Sequence, residues 1–422
     1  MLPFSFLFAG LVAGTSGSRS SFSVEVQQAS GQRDFVREWL AARSKWGDPG
    51  AVSDLSHLLT KEGNDTIVLD PLVNDSIYVA NVEIGNPPQT TLKRSHLNLP
   101  QRWVQSTDTQ YRVNIDGPWA PQYKPNASST AEYVENSSWD VLYGNSPAEF
   151  PFCRVPHNLI DAGDGSHAHG IVYQDTVRLG NFTIQDMSVQ SAELMARSFE
   201  DELGLSGILG LAYTLENNIQ PPAARFIDLL EPALARPIFA CDLGKNAPGK
   251  MDFGFVDNAM APDGFVWLDT VEGSVFWDVE LGLTSWGDND TWFSHDFTVT
   301  VDTGTTLLFL PKAIVDLYWR SVPGMEVVPT TPEVYLFPCH LEDELPDLKF
   351  KIPGVERVLT VPGPNFYFGP LRDDPTYCYG GLQTAEGFHT SIMGSTMLKA
   401  FYVAFDMENG QVGFASKEML DK

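Results

Sequence analysis

The sequence has few basic residues, few cysteines and no long apolar stretch beyond its N-terminus. Lys and Arg number 27 against 54 Asp and Glu, which gives a net charge of −27 over 422 residues. Such a chain repels phosphate backbones and anionic membrane surfaces, so nucleic acid is not expected as a partner. No later segment reaches the roughly 20 apolar residues that span a bilayer, so no membrane span is expected either.

The four cysteines are too few for a disulfide-dense scaffold, and they fit one or two disulfides in an oxidising compartment. Their number alone leaves three pairings open. They are Cys153, Cys241, Cys339 and Cys378.

Residues 1–20 have the outline of a secretory signal peptide, with the apolar run MLPFSFLFAGLVAG followed by small residues. They lack a basic beginning, and a buried N-terminal strand or helix is the alternative. Asn-x-Ser/Thr triplets add to the secretory interpretation. We therefore predict a secreted, or secretory-pathway or vacuolar, glycoprotein with acceptor sites at Asn64, Asn74, Asn126, Asn136, Asn181 and Asn289.

Residues 21–65 begin with the strand-like FSVEVQQ and continue into a helical pattern with Phe35, Trp39 and Leu40 on one stripe. This segment is either a removable prosegment or an N-terminal part of the folded body. From Ile77 onward, apolar strand-like runs alternate with turn residues, which predicts a mostly β protein with few, short helices.

An apolar strand that enters a special turn occurs near residues 90–104 and again near 297–311. This repetition predicts two related lobes, at 66–245 and 246–422. A cleft between two lobes is a common place for a ligand.

The chain resembles the pepsin-like aspartic proteases, peptidase family A1, over nearly its whole length. The resemblance rests on six ordered strings: YVANVEIGNPPQ, GDGSHAHGIVYQDTV, SGILGLAY, VFWDVELG, VDTGTTLLFLP and SIMGSTMLKAFYVAFDMENGQVGFA. It implies a bilobal, mostly β fold with a central cleft that takes a peptide or small molecule, a flap over that cleft, and a Cys339–Cys378 disulfide. We expect a monomer without a cofactor or metal.

In that family, two facing carboxylates share a proton, and one acts as general base while the other acts as general acid. Asp302, Thr303, Gly304 and Thr305 supply one complete active-site loop. Gly304 permits the tight turn, and the hydroxyl groups can hydrogen-bond the carboxylate.

The matching loop in the first half lacks its carboxylate. Aligned between PPQ at 87–89 and the Trp103-Val104 pair, TLKRSHLNLPQRWV puts His96 at the Asp position. Asp108 is an alternative carboxylate, but it follows the Trp-Val pair and has no apolar strand before it.

The flap departs from the family pattern as well. The string IDAGDGSHAHG puts Ala162 where the family has a tyrosine, and Tyr143 is a rival alignment that needs a long insertion. Trp103, which packs against that tyrosine in the family, is retained.

A histidine opposite Asp302 removes the pair of equivalent groups that share a proton. We therefore predict a pepsin-like protein that is defective in ordinary proteolysis and keeps its cleft for binding. Two alternatives remain open: a repurposed acid-base enzyme or cyclase of small-molecule biosynthesis, in which His96 and Asp302 cooperate, and a residual endopeptidase that relies on Asp302. Whether the protein is an enzyme is thus left open.

Overall fold

The structure is a computed structural model. It describes residues 19–28, 35–47, 78–96, 102–110, 120–142, 167–195, 205–212, 218–245, 247–288, 291–330, 332–352, 355–371 and 374–417. The fold is mostly β and bilobal, as the sequence predicts.

Within these residues, the largest sheet has 14 strands and joins the beginning of the chain to its end. Across this sheet, strands of the C-terminal half come first, followed by the strands at residues 238–242, 249–253, 22–28, 78–84 and 89–96. The remaining strands of the first lobe complete the sheet. The members are β1 (Phe22–Gln28), β2 (Tyr78–Ile84), β3 (Gln89–His96), β4 (Arg102–Gln105), β5 (Glu132–Leu142), β6 (His167–Leu179), β7 (Phe182–Met195), β8 (Gly207–Gly210), β9 (Ile219–Gln220), β10 (Ile238–Asp242), β11 (Gly249–Phe253), β12 (Val266–Asp269), β24 (Phe401–Asp406) and β25 (Gln411–Ser416).

Two smaller sheets build the rest of the second lobe. The seven-stranded sheet contains β13 (Asp278–Trp286), β14 (Phe293–Val301), β15 (Leu308–Leu310), β18 (Leu348–Lys351), β19 (Val358–Val361), β22 (Leu382–Thr384) and β23 (Ser391–Met393). The four-stranded sheet contains β16 (Glu326–Val328), β17 (Val334–Pro338), β20 (Tyr367–Pro370) and β21 (Tyr377–Gly380).

The described helices are few and short, as expected. They are α1 (Phe35–Trp46), α2 (Phe226–Leu230), α3 (Lys312–Arg320) and α4 (Ser395–Leu398). In α1, Glu38 lies in the first turn and Arg43 and Lys45 in the last, an arrangement that suits the helix dipole.

The strand topology around the two special turns is the same in both halves of the chain. In the first lobe β8 lies between β3 and β4, parallel to β3 and antiparallel to β4. In the second lobe β23 lies between β14 and β15 with the same two directions. Each lobe therefore carries one loop, between β3 and β4 or between β14 and β15, in an equivalent place.

In the N-terminal segment, residues 22–28 and 35–46 pack against the rest of the chain. Strand β1 is hydrogen-bonded on both sides, to β11 and to β2. Helix α1 buries Phe35, Trp39, Leu40 and Trp46 against the second lobe in a core that also contains Leu307, Phe309, Leu336, Phe368 and Ile392. The predicted apolar stripe is thus confirmed.

Candidate active site

Asp302 lies at the end of β14 and is completely buried. Its Oδ1 accepts a hydrogen bond from the Gly304 backbone N–H at 2.9 Å, and its Oδ2 accepts one from the Thr305 hydroxyl at 2.6 Å. Because donated hydrogen bonds favour a charged carboxylate, the loop is built to hold an anion. The structure thus brings Asp302, Gly304 and Thr305 together as the sequence predicts, with Thr303 buried between them.

The segment that begins α4 hydrogen-bonds the backbone of the Asp302 loop. The backbone N–H groups of Ser395 and Thr396 donate to the carbonyl oxygens of Thr305 and Thr306 at 2.8 and 2.9 Å. Gly394 is required for this approach, since a Cβ there would lie 2.2 Å from the Leu307 carbonyl oxygen. Ser395 donates its hydroxyl to the Thr306 carbonyl oxygen.

Helix α1 covers the Asp302 loop with three polar contacts. Lys45 Nζ lies 2.5 Å from Asp302 Oδ2, and the Lys45 side chain is only 11% exposed. Trp46 Nε1 donates to the Thr305 hydroxyl at 3.1 Å. The Thr306 hydroxyl donates to Glu38 Oε2, and the Glu38 side chain is buried. The carboxylate is therefore neutralised by a cation from the N-terminal segment.

The structure describes His96 by its backbone only. His96 pairs with Gly210, and Ser95 pairs with Leu209, in the parallel ladder of β3 and β8. In the second lobe Val301 pairs with Met393, and the backbone N–H of Asp302 donates to the Met393 carbonyl oxygen.

The ladders on the far side of the two loops follow the same register. Arg102 pairs with Leu209 in the first lobe, and Leu308 pairs with Met393 in the second. The two loops are therefore of equal length, and His96 takes the backbone position in the first lobe that Asp302 takes in the second.

Asp108 is part of a separate cluster in the first lobe. Its Oδ2 accepts hydrogen bonds from the hydroxyls of Tyr173 at 3.1 Å and Ser191 at 3.2 Å, and Ser106 also donates to it at 3.4 Å. Burial, followed by the charge and hydrogen bond of Asp108, raises the pKa of Tyr173 to about 12. Trp103 is buried and stacks on Trp139, with ring centroids 6.3 Å apart. Ala162 and Tyr143 lie outside the described residues.

The sequence analysis missed the role of Lys45 and Glu38. Both belong to a helix whose apolar stripe was recognised, but no sequence signal links them to a loop more than 250 residues away. The signal that could have pointed to Lys45 is its place in a segment that the sequence already allows to be a prosegment.

The predicted cysteine and glycosylation sites lie partly within the described residues and partly outside them. The Cys339–Cys378 disulfide is present, and Cys241 is a buried thiol whose burial raises its pKa to about 12. Asn126, Asn136 and Asn181 are exposed. Cys153 and the acceptor sites Asn64, Asn74 and Asn289 lie outside the described residues.

Within the described ranges, no helix is both long and apolar enough to cross a membrane. In the same ranges, no group of three or more His, Cys, Asp or Glu side chains has an arrangement that could hold a metal ion.

Comparison with known proteins identifies the family. Residues 157–417 match the family described as eukaryotic aspartyl protease, a range that includes Asp302 and begins after His96. The chain is 33% identical to aspergillopepsin-1 of Aspergillus flavus over 385 residues, covering 91% of this chain and 87% of that protein. The chain belongs to the aspartyl protease family.

Two further proteins are similar to this chain over most of its length. The chain is 32% identical to endothiapepsin of Cryphonectria parasitica over 348 residues, covering 81% of this chain and 76% of the relative. It is 31% identical to penicillopepsin-1 of Penicillium janthinellum over 347 residues, covering 82% of this chain and 96% of the relative.

Proposed function

We propose that this protein is a pepsin-like binding protein that is defective in ordinary proteolysis and retains its cleft for a peptide or small-molecule ligand. The observation that carries the proposal is the equivalent backbone position of His96 and Asp302 in the two lobes. This pairing supports the alignment of His96 with Asp302 independently, because it is a property of the backbone and the alignment rests on similar side chains.

The chemical reason is the loss of a shared proton. Two carboxylates in contact divide one proton between them, so that one is a base while the other is an acid. An imidazole and a carboxylate differ in charge and in ordinary pKa, so their stable state is an ion pair or a neutral base beside an anion. Neither state supplies an acidic carboxyl group to protonate a peptide carbonyl.

We also propose that residues 21–65 are a prosegment of a secreted or lumenal protein. Lys45 faces Asp302, Trp46 contacts Thr305, and Glu38 contacts Thr306. A segment in that position competes with any ligand that needs Asp302. The exposure of Asn126, Asn136 and Asn181 is compatible with glycosylation in the secretory pathway.

The test is an acid proteolysis assay on a denatured protein substrate between about pH 2 and 6, a range that extends to both sides of the ordinary pKa of Asp. The full chain is compared with a chain whose 48–77 connection carries an inserted protease site, so that α1 can be cut from the body. Pepsin is the positive control, and a pepsin-type inhibitor checks the origin of any cleavage. We expect no cleavage above background from either form, together with thermal stabilisation of the cut form by peptides.

Cleavage that the inhibitor blocks, and that Asp302→Asn abolishes, would establish a residual endopeptidase instead. The intact mass of the protein secreted by its own producer tests the prosegment separately. Mature protein that begins after about residue 65 is expected, and protein that still carries α1 would contradict the prosegment.

A further inference from the structure

Arg43 of α1 occupies a pocket of the second lobe next to the Asp302 loop. The residue is 1% exposed, although a buried guanidinium is costly unless it is well compensated. Its two terminal nitrogens donate to the carbonyl oxygens of Thr384 and Glu386. The buried positive charge is therefore compensated by two backbone carbonyl dipoles and not by a buried carboxylate.

Aromatic rings supply the remaining walls. Arg43 Cζ lies 4.4 Å from the ring centroid of Phe388 and 5.6 Å from that of Phe309, both within the range of cation–π attraction. A planar guanidinium can stack on such rings while its edge donates to carbonyl groups, and an ammonium cannot do both. The walls thus fit arginine better than lysine.

The second lobe supplies the carbonyl groups and two of the three rings near the guanidinium, while the third ring, Trp39 at 5.1 Å, belongs to α1 itself. The carbonyl-bearing turn follows β22 and is fixed by hydrogen bonds from Glu386 N to the Thr384 hydroxyl and from Phe388 N to the Ala385 carbonyl oxygen. The Ala385 N–H also donates to Leu310 at the end of β15. Since β15 leads directly out of the Asp302 loop, the pocket and the loop belong to one rigid unit.

Arg43 is not an ideal occupant of this pocket. Among the described residues its Nε has no hydrogen-bond partner. Burial lowers the pKa of Arg43 to about 9, and the charge of exposed Glu386 opposes that shift. An unpaired buried donor is unfavourable, so a ligand guanidinium whose remaining N–H group reaches water or an acceptor of its own can compete with Arg43 for the pocket.

We propose that the walls formed by Phe309, Phe388 and the Thr384 and Glu386 carbonyls are a guanidinium subsite, which selects peptides that carry an arginine side chain. In this structure Arg43 fills the subsite from within the chain. The inference rests on the proposed function, since it names the class of peptide that the cleft takes when α1 has left it.

The first experiment opens the subsite in the full chain with Arg43→Ala. Ethylguanidinium at about 10 mM supplies the missing group, ethylammonium supplies the charge alone, and ethylurea supplies the planar shape alone. We expect ethylguanidinium to raise the Tm of Arg43→Ala by several degrees, with no rise for the wild-type chain or with either control compound. An equal response to ethylammonium or ethylurea, or none to ethylguanidinium, overturns the proposal.

The second experiment measures peptide selection by fluorescence anisotropy. A labelled eight-residue alanine–leucine peptide carries one arginine that moves through the positions, and a matched series carries citrulline. The Arg43→Ala chain is cut at the inserted 48–77 site so that α1 can leave, and we expect at least one position at which arginine binds it about tenfold more tightly than citrulline, with a loss of that preference in the uncut wild-type chain. Equal binding of both series at every position overturns the proposal.

Two further variants keep the test decisive. If Arg43→Ala does not fold, Arg43→Met keeps the aliphatic stem and takes the same series. Phe388→Leu, combined with the opened subsite, should reduce the arginine preference because a stacking face is removed. Hydrolysis of the peptides would refute the proposed loss of proteolysis and leave the subsite standing, whereas intact peptides bound without arginine preference would refute the subsite alone.

Discussion

The loop between β3 and β4 and the loop between β14 and β15 have the same backbone setting and different chemistry. Both follow a strand that pairs in parallel with the central strand of its lobe, and both return antiparallel to it. The second loop reads Asp302-Thr-Gly-Thr-Thr, and the first reads His96-Leu-Asn-Leu-Pro. On the proposed alignment, the first lobe keeps the backbone setting of the loop without its catalytic carboxylate.

Strand pairing at the two loops does not depend on the catalytic groups. The ladder bonds are backbone to backbone, so they tolerate any side chain that suits the strand ends. Hydrogen bonds to Asp302, in contrast, come from Gly304 and Thr305, whose counterparts in the first loop are Asn98 and Leu99. On the proposed alignment, the first loop lacks the hydroxyl donor as well as the acid.

Replacing the whole first loop by the second is expected to have the largest effect. The exchange His96→Asp, Leu97→Thr, Asn98→Gly, Leu99→Thr and Pro100→Thr restores a pair of carboxylates and their donors. General acid–base catalysis contributes roughly 10²- to 10⁴-fold, so acid proteolysis by the chain cut after α1 should rise about 10³-fold above background. The rate of cleavage of a denatured protein substrate measures it.

The same exchange combined with Asp302→Asn is the matched control and should be inactive. Activity in that control would assign the cleavage to a contaminant. A folded exchange variant without activity would mean that more than the loop separates this protein from a peptidase.

Lys45→Met should give the next largest effect, because it leaves the buried carboxylate of Asp302 without its cation. Removing one partner of a buried pair typically costs 3–5 kcal/mol, and the partial exposure of Lys45 puts the expected loss near the lower end, at about 3 kcal/mol. Urea unfolding measures the free energy. The double variant Lys45→Met/Asp302→Asn should recover most of the loss, and strictly additive losses would show that the two side chains do not interact.

Thr305→Val tests the hydroxyl that the first loop lacks. The substitution removes the donor to Asp302 and the acceptor for Trp46 while it keeps the shape of the side chain. Hydrogen bonds to charged groups contribute about 1.5–3 kcal/mol, so we expect a loss of about 2 kcal/mol in the free energy of unfolding. Ser395→Ala is the matched control with a smaller loss, because its hydroxyl makes a 3.3 Å bond to a neutral carbonyl. Equal losses would contradict a special role for Thr305.

The sequence predicted much of this arrangement because its signals are local. The strand periodicity, the Asp-Thr-Gly turn and the apolar stripe of Phe35, Trp39 and Leu40 each lie within a few neighbouring residues. The disulfide between Cys339 and Cys378 followed from family resemblance, since counting cysteines leaves three pairings.

The sequence could not predict the contacts that depend on tertiary packing. Nothing near Lys45 or Arg43 indicates that one meets Asp302 and the other meets the turn after β22. Both contacts join segments more than 250 residues apart, and a cation in a helix is ordinarily solvated. The partners of Asp108 were hidden for the same reason, because Tyr173 and Ser191 come from other strands.

Asp108→Asn sharpens the comparison from the first lobe, with the smallest expected effect. Asp108 accepts the hydrogen bond of Tyr173, and its negative charge opposes ionisation of the phenol. Removal of that charge should lower the pKa of Tyr173 from about 12 toward the ordinary value, by roughly one unit. Residual burial should keep that pKa above 10. An NMR titration of labelled tyrosine, assigned with Tyr173→Phe, measures it. Any peptidase activity of the loop-exchanged chain should survive Asp108→Asn, and its loss would make Asp108 the carboxylate that the first lobe had kept.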